Sequence, residues 1–103
     1  YLEWERKKLP EYIGGPLLAK WGDRFVVGGR RTTSGGPKTV LYWLENDTLE
    51  PFAELPSAGD NSYPGLVTLN DGRALVSWYS THEKNEAGKA ITAIYLAELE
   101  IMK

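Results

Sequence analysis

The side chains able to do chemistry gather in a few short segments. Arg30-Arg31 closes one apolar run, Asp60-Asn61 and Tyr63 lead into Pro64, and Tyr79 is followed by His82-Glu83. Arginine, aspartate and tyrosine suit hydrogen bonding and ring stacking, and a histidine beside a glutamate can orient a proton carrier. With one histidine and no cysteine in 103 residues, a metal site is not indicated, and nothing calls for a cofactor. Ordinary roles are open to each residue as well. Tyr63 could pack at the start of a strand, Arg30 or Arg31 could pair with Glu11 or another surface acid, and His82 with Glu83 could anchor a loop.

Composition narrows the classes. The chain is 42 % hydrophobic and 12 % aromatic, enough for a packed core. Twelve basic against fourteen acidic residues leave a net charge of −2, the opposite of a nucleic-acid footprint. The single basic run, Arg6-Lys7-Lys8, is flanked by Glu3, Glu5 and Glu11 and reads as a solvated strand edge. No stretch reaches the roughly 20 apolar residues of a membrane-spanning helix. The absence of cysteine fits a reducing compartment without deciding location.

The elements that must position these groups come in two similar sets. Leu49-Glu50-Pro51-Phe52-Ala53-Glu54-Leu55-Pro56 echoes Leu2 to Pro10, and Pro16-Leu17-Leu18-Ala19 returns 48 residues later as Pro64-Gly65-Leu66-Val67. Arg24-Phe25-Val26-Val27 returns as Arg73-Ala74-Leu75-Val76, and Val40-Leu41-Tyr42-Trp43-Leu44 as Ala93-Ile94-Tyr95-Leu96-Ala97. Gly22-Asp23, Glu45-Asn46-Asp47 and Asn70-Asp71-Gly72 are tight-turn sequences between these runs. A period near 50 residues with four strands per unit predicts an all-β chain made of two four-stranded antiparallel blades of a β-propeller. The first unit covers residues 1–47, opening with an outer strand at 2–9. The second covers 48–103, with its outer strand at 49–55. Ala74 to Tyr79 does not alternate apolar with polar, which predicts burial on both faces.

An antiparallel meander brings the segments Glu11–Gly15 and Ala58–Tyr63 to the same end as Arg30–Pro37 and Ser80–Gly88, read here as loops. The candidate residues therefore share one face. The opposite turns, Trp21–Arg24 and Asn70–Arg73, hold only hairpin residues. The tryptophans read as packing between blades rather than as platforms for sugars.

At Gly14-Gly15-Pro16, Val27-Gly28-Gly29-Arg30, Gly59 to Leu66 and Ser77 to Glu83, the chain resembles the sialidase (neuraminidase) superfamily of six-bladed propellers. The resemblance implies that Tyr63 stands where the family places its catalytic nucleophile, an exception among glycosidases. It implies further that Arg30, with Arg31 as the fallback, belongs to the set that clamps the sugar carboxylate through bidentate bonds. Asp60, Tyr79, His82 and Glu83 would form the polar surround. The family's other two arginines, its acid/base aspartate and the glutamate that activates the tyrosine belong to earlier blades. Pro64-Gly65 replaces the serine and polar residue usual after the tyrosine, and the Asp-box is absent. The resemblance thus implies glycan binding, or glycoside hydrolysis once the rest of a propeller is supplied, and a secreted or periplasmic location. The alternatives are a non-catalytic sugar-binding or scaffold propeller and an inactive C-terminal fragment of a longer glycosidase.

Two blades do not close a ring. The expected partners, besides a glycan, are the missing blades of a longer chain or further copies of this one. Three copies would complete a ring, each lending residues 2–9 to a neighbour.

Overall fold

The computed structural model describes residues 12–100, which form seven strands and no helix. Strands β1 (Gly14–Trp21), β2 (Arg24–Thr33), β3 (Gly36–Glu45) and β4 (Thr48–Leu55) make one antiparallel sheet in chain order. Strands β5 (Ser62–Thr68), β6 (Ala74–Lys84) and β7 (Ala90–Leu99) make a second, three-stranded antiparallel sheet. The chain is therefore all-β, and the strand that opens the second repeat unit is hydrogen-bonded to β3 in the first sheet. The outer strand expected at residues 2–9 lies outside the described residues.

Turn chemistry accounts for the short connections. Asn46 and Asp47 adopt φ of 50° and 64°, the paired positive angles of a tight hairpin that asparagine and aspartate tolerate. The β2–β3 turn is shorter than its sequence suggests. Arg30 pairs with Thr39, Arg31 with Lys38 and Thr32 with Pro37, so only Ser34 and Gly35 turn the chain. Likewise β6 runs on to Lys84. Arg30, Arg31, His82 and Glu83 thus lie on strands rather than loops. Backbone pairing across the hairpins carries polar residues into the ladder that a hydrophobic pattern leaves outside it.

The sheets pack through one shared core. Trp21, Val26, Leu41 and Leu55 of the first meet Ala74, Val76 and Trp78 of the second. Two indoles pin the layers together: Trp21 Nε1 donates to Gly72 O and Trp78 Nε1 to Pro56 O, both at 3.0 Å. Trp43 stacks on Phe52 with ring centroids 4.4 Å apart. Strand β5 lies against β1 and β2. A β-carbon on Gly28 would meet Leu41 Cδ2 at 2.8 Å and Pro64 Cγ at 3.0 Å, so β5 approaches β2 as closely as a glycine permits. On β6 burial alternates, with Ala74, Val76 and Trp78 enclosed and Leu75 36 % exposed. The run expected to be covered on both faces is covered on one within this chain.

Candidate functional site

The crossover from β4 to β5 carries the site. Its first half is held to both sheets: Lys38 Nζ donates to Ser57 O (2.6 Å), the Thr39 amide to Ser57 Oγ (2.9 Å) and the Ala58 amide to Ser80 Oγ (3.0 Å). Its second half is fixed by Asn61, which is fully buried. Asn61 Nδ2 donates to Gly59 O at 2.8 Å and to Pro37 O at 3.1 Å, and Oδ1 accepts from Thr39 Oγ1 at 2.6 Å. Buried amides are costly unless satisfied, so this network sets the loop in one conformation.

Asn61 belongs to the polar run before Pro64, but its structural part was not apparent from it. The cluster of Gly, Asp, Asn and Ser at 59–62 signals only a turn. Nothing in the sequence marks Thr39 as its partner.

Beyond Asn61 the backbone turns into unusual territory. Ser62 has φ of 145° and Tyr63 φ of 48°. The ladder between β5 and β6 slips here, between Ser62 and Gly65. The first sheet has the same irregularity between Gly14 and Leu17, where Gly15 has φ of 56°. Gly15 and Tyr63 are equivalent positions of the two repeats, each followed by proline. Glycine adopts this conformation freely, whereas an aromatic residue is strained in it. The two bulges also touch, since Ser62 Oγ donates to Gly14 O at 2.7 Å.

Four expected site residues come together around this point. The rings of Tyr63 and Tyr79 stack with centroids 5.9 Å apart and planes 19° from parallel. Tyr79 Oη donates to Asp60 Oδ1 at 2.7 Å, and the same oxygen lies 3.8 Å from Arg30 Nη1. Arg30 Nη1 also donates to Asn61 O at 3.3 Å. Arg30 comes from the first sheet and the other three from the crossover and the second, so the cluster bridges the sheets. Tyr63 is 69 % exposed, leaving one ring face open to a ligand. The hydrogen bond to Asp60, with some desolvation, holds the Tyr79 phenol above its ordinary pKa, so it stays a neutral donor.

The other candidates stand apart from this group. Arg31 follows Arg30 on the alternate face of β2, opposite Lys38. His82 Nδ1 lies 2.7 Å from Ser80 Oγ, and its ring packs on Tyr95 with centroids 4.6 Å apart. That places His82 with Trp78 on the core-facing side of β6, whereas Tyr79 points the other way. Desolvation, with Glu83 adding to it, pushes the Tyr95 phenol above its ordinary value, so His82 and Glu83 cluster about Tyr95 rather than Tyr63.

Comparison of the chain with protein-family models, curated proteins and solved structures finds no match. Among the described residues no helix is long and apolar enough to cross a membrane, and no group of three acidic, histidine or cysteine side chains could hold a metal. The turn end, expected to hold hairpins alone, opens into a cleft of about 790 Å³ lined by Trp21, Arg24, Leu69, Asp71, Gly72 and Glu100. Its indole is 4 % exposed and bonded to Gly72, and Arg24 is committed to Glu45 and to the Trp43 ring. The stacked tyrosines at the other end therefore remain the better ligand surface.

Proposed function

We propose that the two sheets are neighbouring blades of a sialidase-like propeller and that the Tyr63 face binds a glycan carrying a carboxylate. A sugar ring stacks on the open face of Tyr63, Arg30 receives the carboxylate, and Asp60 with Tyr79 takes hydroxyl groups. The observation that carries this reading is Tyr63 itself, a strained and exposed aromatic residue where the sister repeat uses Gly15. Strain that a glycine would remove is retained where a side chain has work at that point.

Binding is favoured over hydrolysis for the chain alone. The resembled enzymes draw their acid/base and the carboxylate that activates the tyrosine from other blades, and His82 with Glu83 turns toward Tyr95. With those blades supplied, Tyr63 becomes the candidate nucleophile.

Titration with a sialyl oligosaccharide, followed by NMR shift changes, tests the site. Tyr63→Ala and Arg30→Gln should each weaken binding at least tenfold. Binding untouched by both changes would remove this face from consideration. A fluorogenic sialoside assay with Tyr63→Phe separates the two modes: the chain alone should give no turnover, and any turnover lost in the variant would assign the nucleophile.

A further inference from the structure

The two repeats present equivalent residues to different surroundings. Val26 and Leu41 are both fully buried, and they face the second sheet. Their counterparts in the second repeat, Leu75 and Ile94, are 36 % and 75 % exposed. Trp43, packed against the same core, corresponds to Leu96, which is 71 % exposed. Leu75 pairs with Val67 and Glu98, Ser77 with Leu96 and Tyr79 with Ile94, so these side chains share the outward face of the second sheet. That face repeats the pattern of a face the fold covers elsewhere, and here it lies open.

We propose that this outward face, Val67, Leu75, Ile94 and Leu96, is the docking surface for a second copy of the chain. The repeat also names the surface that docks. Within one chain the first sheet is covered by Ala74, Val76 and Tyr95. Their counterparts in the first repeat are Phe25, Val27 and Tyr42, on the far side of the first sheet, where Val27 and Tyr42 are already buried in a cluster with Val40 and the open part lies on β1 and β2. Phe25 is 46 % exposed and its neighbour on that side, Leu18, 65 %. One copy's second sheet therefore docks on the β1–β2 part of the next copy's first sheet, around Leu18 and Phe25.

Such a contact is head-to-tail and leads to a ring when the rotation closes.

The exposed area matches this arrangement. The chain exposes 7429 Å², whereas a compact monomer of its size exposes roughly 5800 Å². The surplus of about 1600 Å² is of the size that two contact faces need, at about 800 Å² each.

The inference rests on the blade reading of the two sheets and not on the sugar. Sedimentation of the full chain across concentration should give an assembly, with three copies as the closed form. Ile94→Glu and Phe25→Glu should each leave a β-sheet circular-dichroism spectrum and return the protein to monomer. Mixed together, the two variants keep one intact pair of faces and should form a one-to-one dimer. A wild-type monomer that melts cooperatively, or an assembly unchanged by Ile94→Glu, overturns the proposal. Sialyl-oligosaccharide binding measured on the Phe25→Glu monomer, whose substitution lies on the far side of the first sheet, reports on Tyr63 separately, so loss of one reading is not mistaken for loss of the other.

Discussion

Tyr63 and Tyr79 illustrate how much a single position can carry. For Tyr63 a left-handed backbone costs roughly 1–2 kcal/mol that glycine would not incur. Against this, Tyr63→Gly gives up a ring stack of about 0.5–1.5 kcal/mol and adds about 0.5–1 kcal/mol of backbone entropy on folding. Chemical denaturation should therefore place Tyr63→Gly within about 1 kcal/mol of wild type while sugar binding disappears. A far larger loss would mean that the ring is a packing element and that its strain has no ligand behind it. Tyr79 makes a pH prediction. Its folded pKa is raised by the bond to Asp60, so the stabilisation is complete below the ordinary phenol value near 10 and fades as pH climbs through the raised one. Absorbance titration compared with Tyr79→Phe should show this phenol ionising above free tyrosine, and Asp60→Asn should bring it back down. Arg30, Asp60, Tyr63 and Tyr79 were legible in the sequence because turn residues and the meander place their segments at one end. His82 and Glu83 were misleading neighbours, since the strand runs on through them and its ladder slips between Ser80 and Glu83, so that both gather about Tyr95.

The seven described strands follow from punctuation more than from periodicity. Asn46-Asp47 and Asn70-Asp71-Gly72 announce hairpins, and the apolar runs between them can hardly be anything but strands. What the sequence concealed was extent. Arg30 to Thr33 and Thr81 to Lys84 are polar, yet partners across the hairpin hold them in the ladder. It also concealed the Asn61–Thr39 network, which depends on two segments meeting at the crossover. Gly28 tests how tightly the sheets are seated. Its β-carbon would intrude on Leu41 and Pro64, and Leu41 is fully buried. Overpacking of this kind costs about 1–3 kcal/mol, so Gly28→Ala should lower the urea midpoint accordingly and Gly28→Val more steeply. Indifference to both would show that β5 can slide away from β2 and that the bridge between Arg30 and Asp60 is not rigidly held.

At the scale of the molecule, shape and stability become the same question. A compact chain of this length has a radius of gyration of about 13 Å, whereas this one measures 15.1 Å with extents of 55 × 33 × 29 Å. Two sheets stacked in one direction leave an outer face at each end, and the continuous apolar run on β6 calls for cover on both of its faces. Exposed apolar surface weakens folding by about 25 cal/mol for each Å² that stays wet, so the isolated chain should be marginal. If copies supply the cover, mass action links folding to concentration. For a three-copy assembly, a tenfold rise in concentration adds about 0.9 kcal/mol per chain. On a domain this small that shifts the melting midpoint by roughly 4–7 °C. Ile94→Glu should remove the dependence and leave a low, concentration-independent midpoint. A wild-type midpoint that stays fixed across two decades of concentration would mean that the two sheets suffice for each other, and that the wet face of β6 and β7 is merely tolerated.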